Sequence, residues 1–411
     1  MENLKTIQDA RLKKFMIDSN DALEFKLIRN IEDLDSEEAV FKPEMSHQVF
    51  GAMETIFGYC DLKVQLYYTA GCLETFLGMT YTEKASDLDF KGVEPDKVLT
   101  KMAEKLAPNV HYSLDTFISA LKKDDTFKPE GELLYSFTIN DNGTARQFEV
   151  YKADINCKKF KEYHQRVQTF LLWYIDAANF IDIDDEQWSY FNMFEKYTTS
   201  TGASRYGTVG FVTVYRYYAY PQHIRPRIAQ VVILPPFRQM GLGTQLLQAI
   251  YREYVGMNEV KDITVEDPSV TFQRIRNYVD AVNCSTLPSF KREHLMQGFN
   301  NQMAIEAREK FKINKKQART VYEILRLRAT NVVNEEEYRA YRLDVKRRLN
   351  IPYKRKENDE KKLERALMYV DKRVNPLPPL EQRVQILDKE YRFLEEEYKR
   401  IIQRLEDAPE L

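Results

Sequence analysis

The strongest constraint on the fold is a short loop, Arg238-Gln239-Met240-Gly241-Leu242-Gly243-Thr244, set between a strand-like run and a helix-like run. Thr208 to Tyr220 and Arg227 to Leu234 are rich in Val, Ile, Tyr and Thr, which suit a pleated half-buried surface, so they read as long central strands. After Pro235-Pro236, the residues Leu242, Leu246, Leu247, Ile250 and Tyr254 fall on one stripe of a helix from Gly241 to Tyr254. A loop that closes a strand and opens a helix points its backbone N–H groups at the positive helix end, where the first donors lack intrahelical partners. Gly241 and Gly243 let an anion approach that backbone, which a Cβ would hold off. The spacing predicts a phosphate cradle. It lacks the Gly-Lys-Ser/Thr ending of a nucleotide P-loop and the third glycine of the dinucleotide fingerprint.

A chain of 411 residues exceeds one ordinary core, so two or three domains are expected. Leu23 to Ile28 and Leu62 to Tyr68 alternate like half-buried strands, and Asn142-Gly143 marks a turn between Leu133–Ile139 and Gln147–Tyr151. Phe160 to Ala178 carries Phe170, Leu171, Tyr174 and Ile175 as a buried helix would. A short strand over Asp262 to Val265 is followed by Glu266-Asp267-Pro268-Ser269 and a helix with Phe272, Ile275 and Val279 on its inner face. Beyond Leu287 the chain reads as helices, ending in a 4-3 rhythm of Leu380, Val384, Leu387, Tyr391, Leu394, Tyr398, Ile401 and Leu405. Such a helix lies against another helix, of its own domain or of a second chain. The expected division is an arm or helix over residues 1–20, an α+β domain over 21–157, a core over 158–286 and a helical domain over 287–411. The fold class is α+β, with a mixed central sheet and a helical C-terminal extension.

The balance of 61 Lys and Arg against 63 Asp and Glu gives no global attraction to nucleic acid or to an acidic membrane, so a basic partner would have to meet a local acidic surface. The runs Lys346-Arg347-Arg348 and Lys354-Arg355-Lys356 suit solvated helix faces, an import signal or a nucleic-acid patch. Cys60, Cys72, Cys157 and Cys284 form no C-x-x-C pair and the histidines show no ligand spacing, so a reduced protein without structural zinc or another metal is expected. No apolar run reaches the roughly 18 residues that span a bilayer.

The loop and its flanks resemble the Gcn5-related N-acetyltransferases, whose signature is Gln/Arg-x-x-Gly-x-Gly/Ala between a central strand and its helix. The resemblance narrows to the type B histone acetyltransferase catalytic subunits through stretches spread along most of the chain. These are Ser46-His47-Gln48-Val49-Phe50-Gly51, Tyr151-Lys152-Ala153-Asp154, Phe180-Ile181-Asp182-Ile183-Asp184-Asp185-Glu186, Phe194-Glu195-Lys196-Tyr197, Thr213-Val214-Tyr215, Arg225-Pro226-Arg227, Ile263-Thr264-Val265-Glu266-Asp267-Pro268-Ser269 and Leu295-Met296-Gln297-Gly298-Phe299-Asn300. The resemblance implies acetyl-CoA as co-substrate. Val231, Val232 and Ile233 would pair with the pantetheine arm, the amides of Arg238, Gln239, Met240, Gly241, Leu242, Gly243 and Thr244 would hold the pyrophosphate, and Thr271 would also contact the cofactor. It implies further that the substrate is the N-terminal tail of newly made histone four, with histone three, and that the partner is a histone-binding WD-repeat propeller. Both nucleus and cytoplasm are expected as locations.

A lysine amine has a pKa near 10.4, so about one molecule in a few thousand is free to attack a thioester at neutral pH. Glu266, where a strand ends, is the first candidate for the base, with Asp267 beside it; the family's catalytic carboxylates match Glu266, Asp267 and Asp176, the last a glutamate elsewhere in the family. Asp267-Pro268-Ser269 also reads as a helix cap. An oxyanion would be met by a backbone N–H between Val232 and Leu234. An acyl-cysteine route through Cys284 lacks an adjacent histidine base, which favours direct transfer. Tail contacts map by resemblance to Glu54, Trp188, Tyr215 and Tyr217, with Ala52-Met53 standing beside Glu54 where the family is acidic. Two rival functions share these residues: acetylation of a polyamine or small amine, and a non-catalytic histone-escort scaffold.

Overall fold

The computed structural model describes residues 13–88, 94–366 and 378–407. Most of the arm expected over residues 1–20 therefore lies outside the described residues. The chain divides into two compact units, one of Met1–Tyr217 with Pro226–Glu253 and the other of Tyr218–Arg225 with Tyr254–Leu411.

In the first unit, β1 (Leu23–Ile28) pairs in parallel with β2 (Lys63–Thr69), which pairs antiparallel with β3 (Thr75–Thr80). The alternation that marked Leu23–Ile28 is the cause: Phe25 is fully buried and its ring lies 5.4 Å from Trp173. A second set of strands begins with the hairpin of β4 (Glu132–Asp141) and β5 (Thr144–Ala153). Its Asn142-Gly143 turn has φ of 50° and 87°, the left-handed pair that a two-residue hairpin requires. Then follow β6 (Trp188–Thr198), β7 (Ser204–Ala219) and β8 (His223–Ile233), so that β4 to β8 lie side by side in chain order. Parallel and antiparallel pairs both occur, and the fold is α+β.

The boundary expected at residue 157 falls between two paired strands: Ala153 opposes Tyr190 and Gln147 opposes Lys196. The hairpin is thus part of the larger sheet. Its turn is a local signal, whereas its neighbour is chosen by non-local pairing that no short motif records. The helix expected over Phe160–Ala178 is α1 (Phe160–Val167), a 3-10 turn and a last helical turn ending at Tyr174. From Gly241 the predicted stripe becomes α2 (Leu242–Val255), with Leu242, Leu246, Leu247, Ile250 and Tyr254 each 1% exposed.

The second unit holds β9 (Thr264–Val265) and helices α3 (Val270–Ser285), α4 (Asn301–Phe311), α5 (Lys315–Ala329), α6 (Glu335–Leu349), α7 (Ile351–Ala366) and α8 (Leu380–Asp407). The boundary expected at 286 is displaced, because α3 packs on α5 and α8 inside this unit. The heptad helix α8 docks in cis, burying Leu387, Tyr391, Tyr398 and Ile401 while Leu380 and Val384 stay exposed. Under it, fully buried Glu323 receives Arg319 at 2.9 Å, Arg348 at 2.7 Å and the Tyr398 hydroxyl at 3.0 Å. Lys346 meets Asp388 at 2.6 Å. Two of the three cations in Lys346-Arg347-Arg348 therefore serve the fold rather than a free basic patch.

Candidate functional site

The loop between β8 and α2 is shaped by two left-handed residues, Gln239 at φ 64° and Gly241 at φ 76°. Its chain runs Leu234, a 3-10 turn over Pro235–Phe237, then Arg238 in extended backbone. The N–H of Arg238 donates to Pro235 O at 3.2 Å, and that of Thr244 to Gly241 O at 3.0 Å. Between them, the amides of Gln239, Met240, Gly241, Leu242 and Gly243 have no hydrogen-bond partner among the described residues. They sit at the positive end of a 14-residue helix, where an anion gains both hydrogen bonds and dipole attraction. Of the seven amides expected to hold the pyrophosphate, those of Gln239–Gly243 are open, and those of Arg238 and Thr244 are engaged locally.

The Arg238 side chain faces back into the protein. Its Nε donates to Ile233 O at 2.9 Å, its guanidinium pairs with Glu44, and it lies 5.1 Å from the centre of the Tyr174 ring. Burial pushes the Tyr174 hydroxyl pKa up, so the ring remains neutral beneath that cation. Arg238 therefore braces the loop. On the other side, Met240 Sδ accepts from Arg146 Nη1 at 3.7 Å, and Arg146 is held by Glu195 at 2.7 Å and Asp141 at 2.8 Å.

Val231, Val232 and Ile233 are the last three residues of β8, Val232 buried and its neighbours half-buried. Here β7 comes very close: a Cβ on Gly210 would lie 2.2 Å from Val232 O, so only glycine fits. The Leu234 N–H donates to Val209 O at 2.9 Å. That removes Leu234 from the oxyanion donors expected over Val232 to Leu234.

A second cluster in this unit joins two residues that the sequence kept apart. Asp176 lies in the turn beyond Tyr174 rather than on the helix, and its Oδ1 is 3.0 Å from His47 Nε2. The other ring nitrogen, Nδ1, is 3.6 Å from Glu54 Oε1. Glu54 is itself held by the N–H groups of Ser46 at 2.6 Å and His47 at 3.0 Å and by Asn20 Nδ2 at 2.9 Å. The Ser46 bond is foremost in drawing its carboxyl below the usual carboxylate range. Sequence reasoning gave His47 no role, and no spacing could have done so, since its partner Asp176 is brought close only by the fold.

Trp188, Tyr215 and Tyr217 come together on the sheet. Trp188 and Tyr215 are directly opposite on β6 and β7, with rings 4.9 Å apart, and Tyr217, two residues on and so on the same face, is 4.6 Å from Tyr215. Arg227 lies 4.7 Å over the Tyr217 ring. Glu54 is absent from this aromatic group and belongs to the His47 cluster.

In the second unit, Glu266 and Asp267 occupy the turn between β9 and α3, both exposed. Neither makes an ion pair or hydrogen bond among the described residues. Asp267 has φ 31°, a left-handed backbone that aspartate tolerates better than most side chains. The cap of α3 is Ser269, whose side chain accepts from Phe272 N at 3.2 Å, so Asp267 is released from that duty. Thr271 is exposed in the first turn of α3. The turn is anchored from behind by a bidentate pair that sequence reading missed: Arg225 meets Asp262 at 2.6 and 3.1 Å. Cys284 is fully buried, and burial pushes its thiol pKa well above the ordinary range, which leaves it without nucleophilic thiolate.

Three family models match the chain: "Histone acetyl transferase HAT1 N-terminus" over residues 15–176, "Acetyltransferase (GNAT) family" over 163–271, and "Histone acetyltransferase type B catalytic subunit, C-terminal" over 276–327. The chain is 45% identical to the histone acetyltransferase type B catalytic subunit of Mus musculus, covering 98% of this chain and 97% of that protein. Against the Homo sapiens protein of the same description identity is 45%, over 98% and 96%. A Dictyostelium discoideum relative so described is 33% identical over 86% of this chain and 79% of its own length. Near-complete coverage at this identity, with the GNAT model spanning the loop and Glu266, places the chain in the family of type B histone acetyltransferase catalytic subunits, GNAT enzymes that acetylate histones from acetyl-CoA.

Proposed function

We propose that the chain transfers acetyl from acetyl-CoA directly to lysine side chains in the N-terminal tail of newly made histone four, presented with histone three and a WD-repeat histone-binding subunit. The observation that carries the cofactor half is the run of unpaired amides from Gln239 to Gly243 at the start of α2. Bound there by its pyrophosphate, acetyl-CoA supplies an activated thioester. The amides of Val232 and Ile233 are the remaining donors of the expected set for charge on the carbonyl oxygen.

Deprotonating a lysine amine at pH 7 takes roughly 5 kcal/mol. Glu266 is suited to accept that proton because nothing else in the described residues engages its carboxylate. The neutral amine then bonds to the acetyl carbon, the carbon–sulfur bond breaks and the thiolate leaves. Asp267 sits beside Glu266 as a second carboxylate ahead of the positive end of α3, which favours charged carboxylates. Trp188 and Tyr215, with Tyr217 beside them under Arg227, offer aromatic surface to a cationic tail, and the exposed Asp176, paired with His47, offers a carboxylate.

Mass spectrometry of an equimolar mixture of histone tail peptides and spermidine, incubated with the protein and acetyl-CoA, reads activity, substrate and site together. Acetyl groups on histone four tail lysines are expected. Preferential modification of spermidine would remove the histone-tail assignment, and failure to bind acetyl-CoA would remove the enzymatic one.

A further inference from the structure

His47 stands between two carboxylates of the first unit, with Asp176 Oδ1 3.0 Å from its Nε2 and Glu54 Oε1 3.6 Å from its Nδ1. The Asp176 side chain is 76% exposed, and its carboxylate makes no other ion pair or hydrogen bond among the described residues. An aspartate carboxylate stands one methylene from its backbone, so it goes where the turn puts it. That turn is sharp. The chain leaves its helical path at Ile175, with φ −133° and ψ 117°, and enters the left-handed region at Ala177, with φ 52°. A residue with a Cβ keeps such a backbone only where its surroundings over-determine it.

One segment, residues 44–48, supplies those surroundings. The N–H groups of Glu44 and Met45 donate to Trp173 O at 3.1 and 3.3 Å, and Gln48 Nε2 donates to Ile175 O at 3.0 Å. His47, between them, opens the helical turn His47–Phe50. That turn is itself fixed from behind. The N–H groups of Ser46 and His47 both donate to one oxygen of Glu54, Asn20 Nδ2 holds the other at 2.9 Å, and the Ser46 hydroxyl meets that of Ser19 at 2.6 Å in the interior. Contacts therefore pass from Glu54, an anchored carboxylate, through the His47 ring to Asp176, an exposed one. The same segment braces the cradle loop, since Glu44 pairs with Arg238.

We propose that His47 is a positioning residue for acetyl transfer: its imidazole holds one oxygen of Asp176 so that the other meets the amine of the tail lysine. The inference rests on the reading above in which the tail reaches Asp176. A carboxylate fixed before the substrate arrives needs less ordering on binding, and a misplacement of about 1 Å can cost on the order of 10²-fold in rate. Steady-state acetylation of a histone four tail peptide at saturating acetyl-CoA, read as a double-mutant cycle, tests this. His47→Ala and Asp176→Asn are each expected to lower kcat/KM for the peptide by about tenfold or more. In the Asp176→Asn background, His47→Ala should cost less than about twofold further, because the residue it acts through is already gone. His47→Gln, which can place an amide N–H where Nε2 stands, should recover activity to within about threefold of the wild type, and acetyl-CoA affinity should be unchanged throughout. Full activity of either single variant, losses that multiply in the double variant, or a His47→Gln enzyme as slow as His47→Ala would overturn the positioning role and leave the acetyltransferase reading standing. A wild type that does not acetylate the peptide would overturn that reading and this role together.

Discussion

The turns that open α2 and α3 are built for opposite work. Ahead of α2, the charged side chain Arg238 is turned inward onto Ile233 O and Glu44 while a run of backbone amides is left bare. Ahead of α3, the helix start is closed by the Ser269 cap while the side chains of Glu266 and Asp267 are left bare. Both are helix N-termini, with the same dipole. The difference lies in sequence: Gly-Leu-Gly cannot cap with a side chain and so keeps its donors for an anion, whereas Asp-Pro-Ser satisfies its own donors and frees the carboxylates before it. One turn presents backbone and the other presents side chains, the division that the proposed cofactor binding and catalysis require.

The comparison breaks most visibly at Glu266. Glu266→Gln is expected to lower kcat by about 10² to 10⁴ while acetyl-CoA affinity stays within error, because a general base acts in the transition state. Unchanged turnover would show that the bare carboxylate is idle. On the other side, Gly241→Val forces a β-branched residue into left-handed backbone, a penalty of roughly 1–2 kcal/mol, although a Cβ there meets nothing within 4 Å. Calorimetry should show acetyl-CoA binding weakened by about tenfold or more with the fold intact. Full affinity would mean that the left-handed turn is not needed for binding.

The supports of the two turns differ as well. The second unit buries a paired carboxylate, Glu323, whereas the first buries an imidazole, His164, whose two nitrogens have no partner. Burial drives the His164 pKa down to about 3. The unfolded chain takes up a proton below about 6.5 that the folded chain refuses until about 3, so stability falls as pH drops through that window. At pH 5 the loss is about 2 kcal/mol relative to pH 7. Urea unfolding at both pH values should show a smaller loss in His164→Phe, since the ring sits among Phe160, Tyr190 and Phe211. An equal loss in wild type and variant would assign the acid sensitivity elsewhere. The smallest effect belongs to Ser269→Ala, which removes the α3 cap and should cost about 1 kcal/mol in thermal unfolding without changing acetyl-CoA affinity.

Local signals carried much of this into the sequence. The Asn142-Gly143 hairpin, the stripe of α2 and the left-handed turn at Gly241 each depend on backbone preferences of adjacent residues, and each appears where spacing put it. What needed the fold was set by partners far along the chain. The β4–β5 hairpin joins β6 by non-local pairing, His47 meets Asp176 across 129 positions, and the Arg225–Asp262 pair ties a hairpin tip to the strand before Glu266. The cap at Ser269 was a choice between neighbours, Asp267 or Ser269, that composition left open and backbone geometry decided.

The most direct test of the central claim is amide hydrogen exchange with and without acetyl-CoA, resolved to individual residues across both helix starts. The account predicts that acetyl-CoA slows exchange at Gln239, Gly241, Leu242 and Gly243 and leaves Phe272, already bonded to Ser269, unchanged. Saturating acetyl-CoA with no protection in the Gln239–Gly243 run would contradict it.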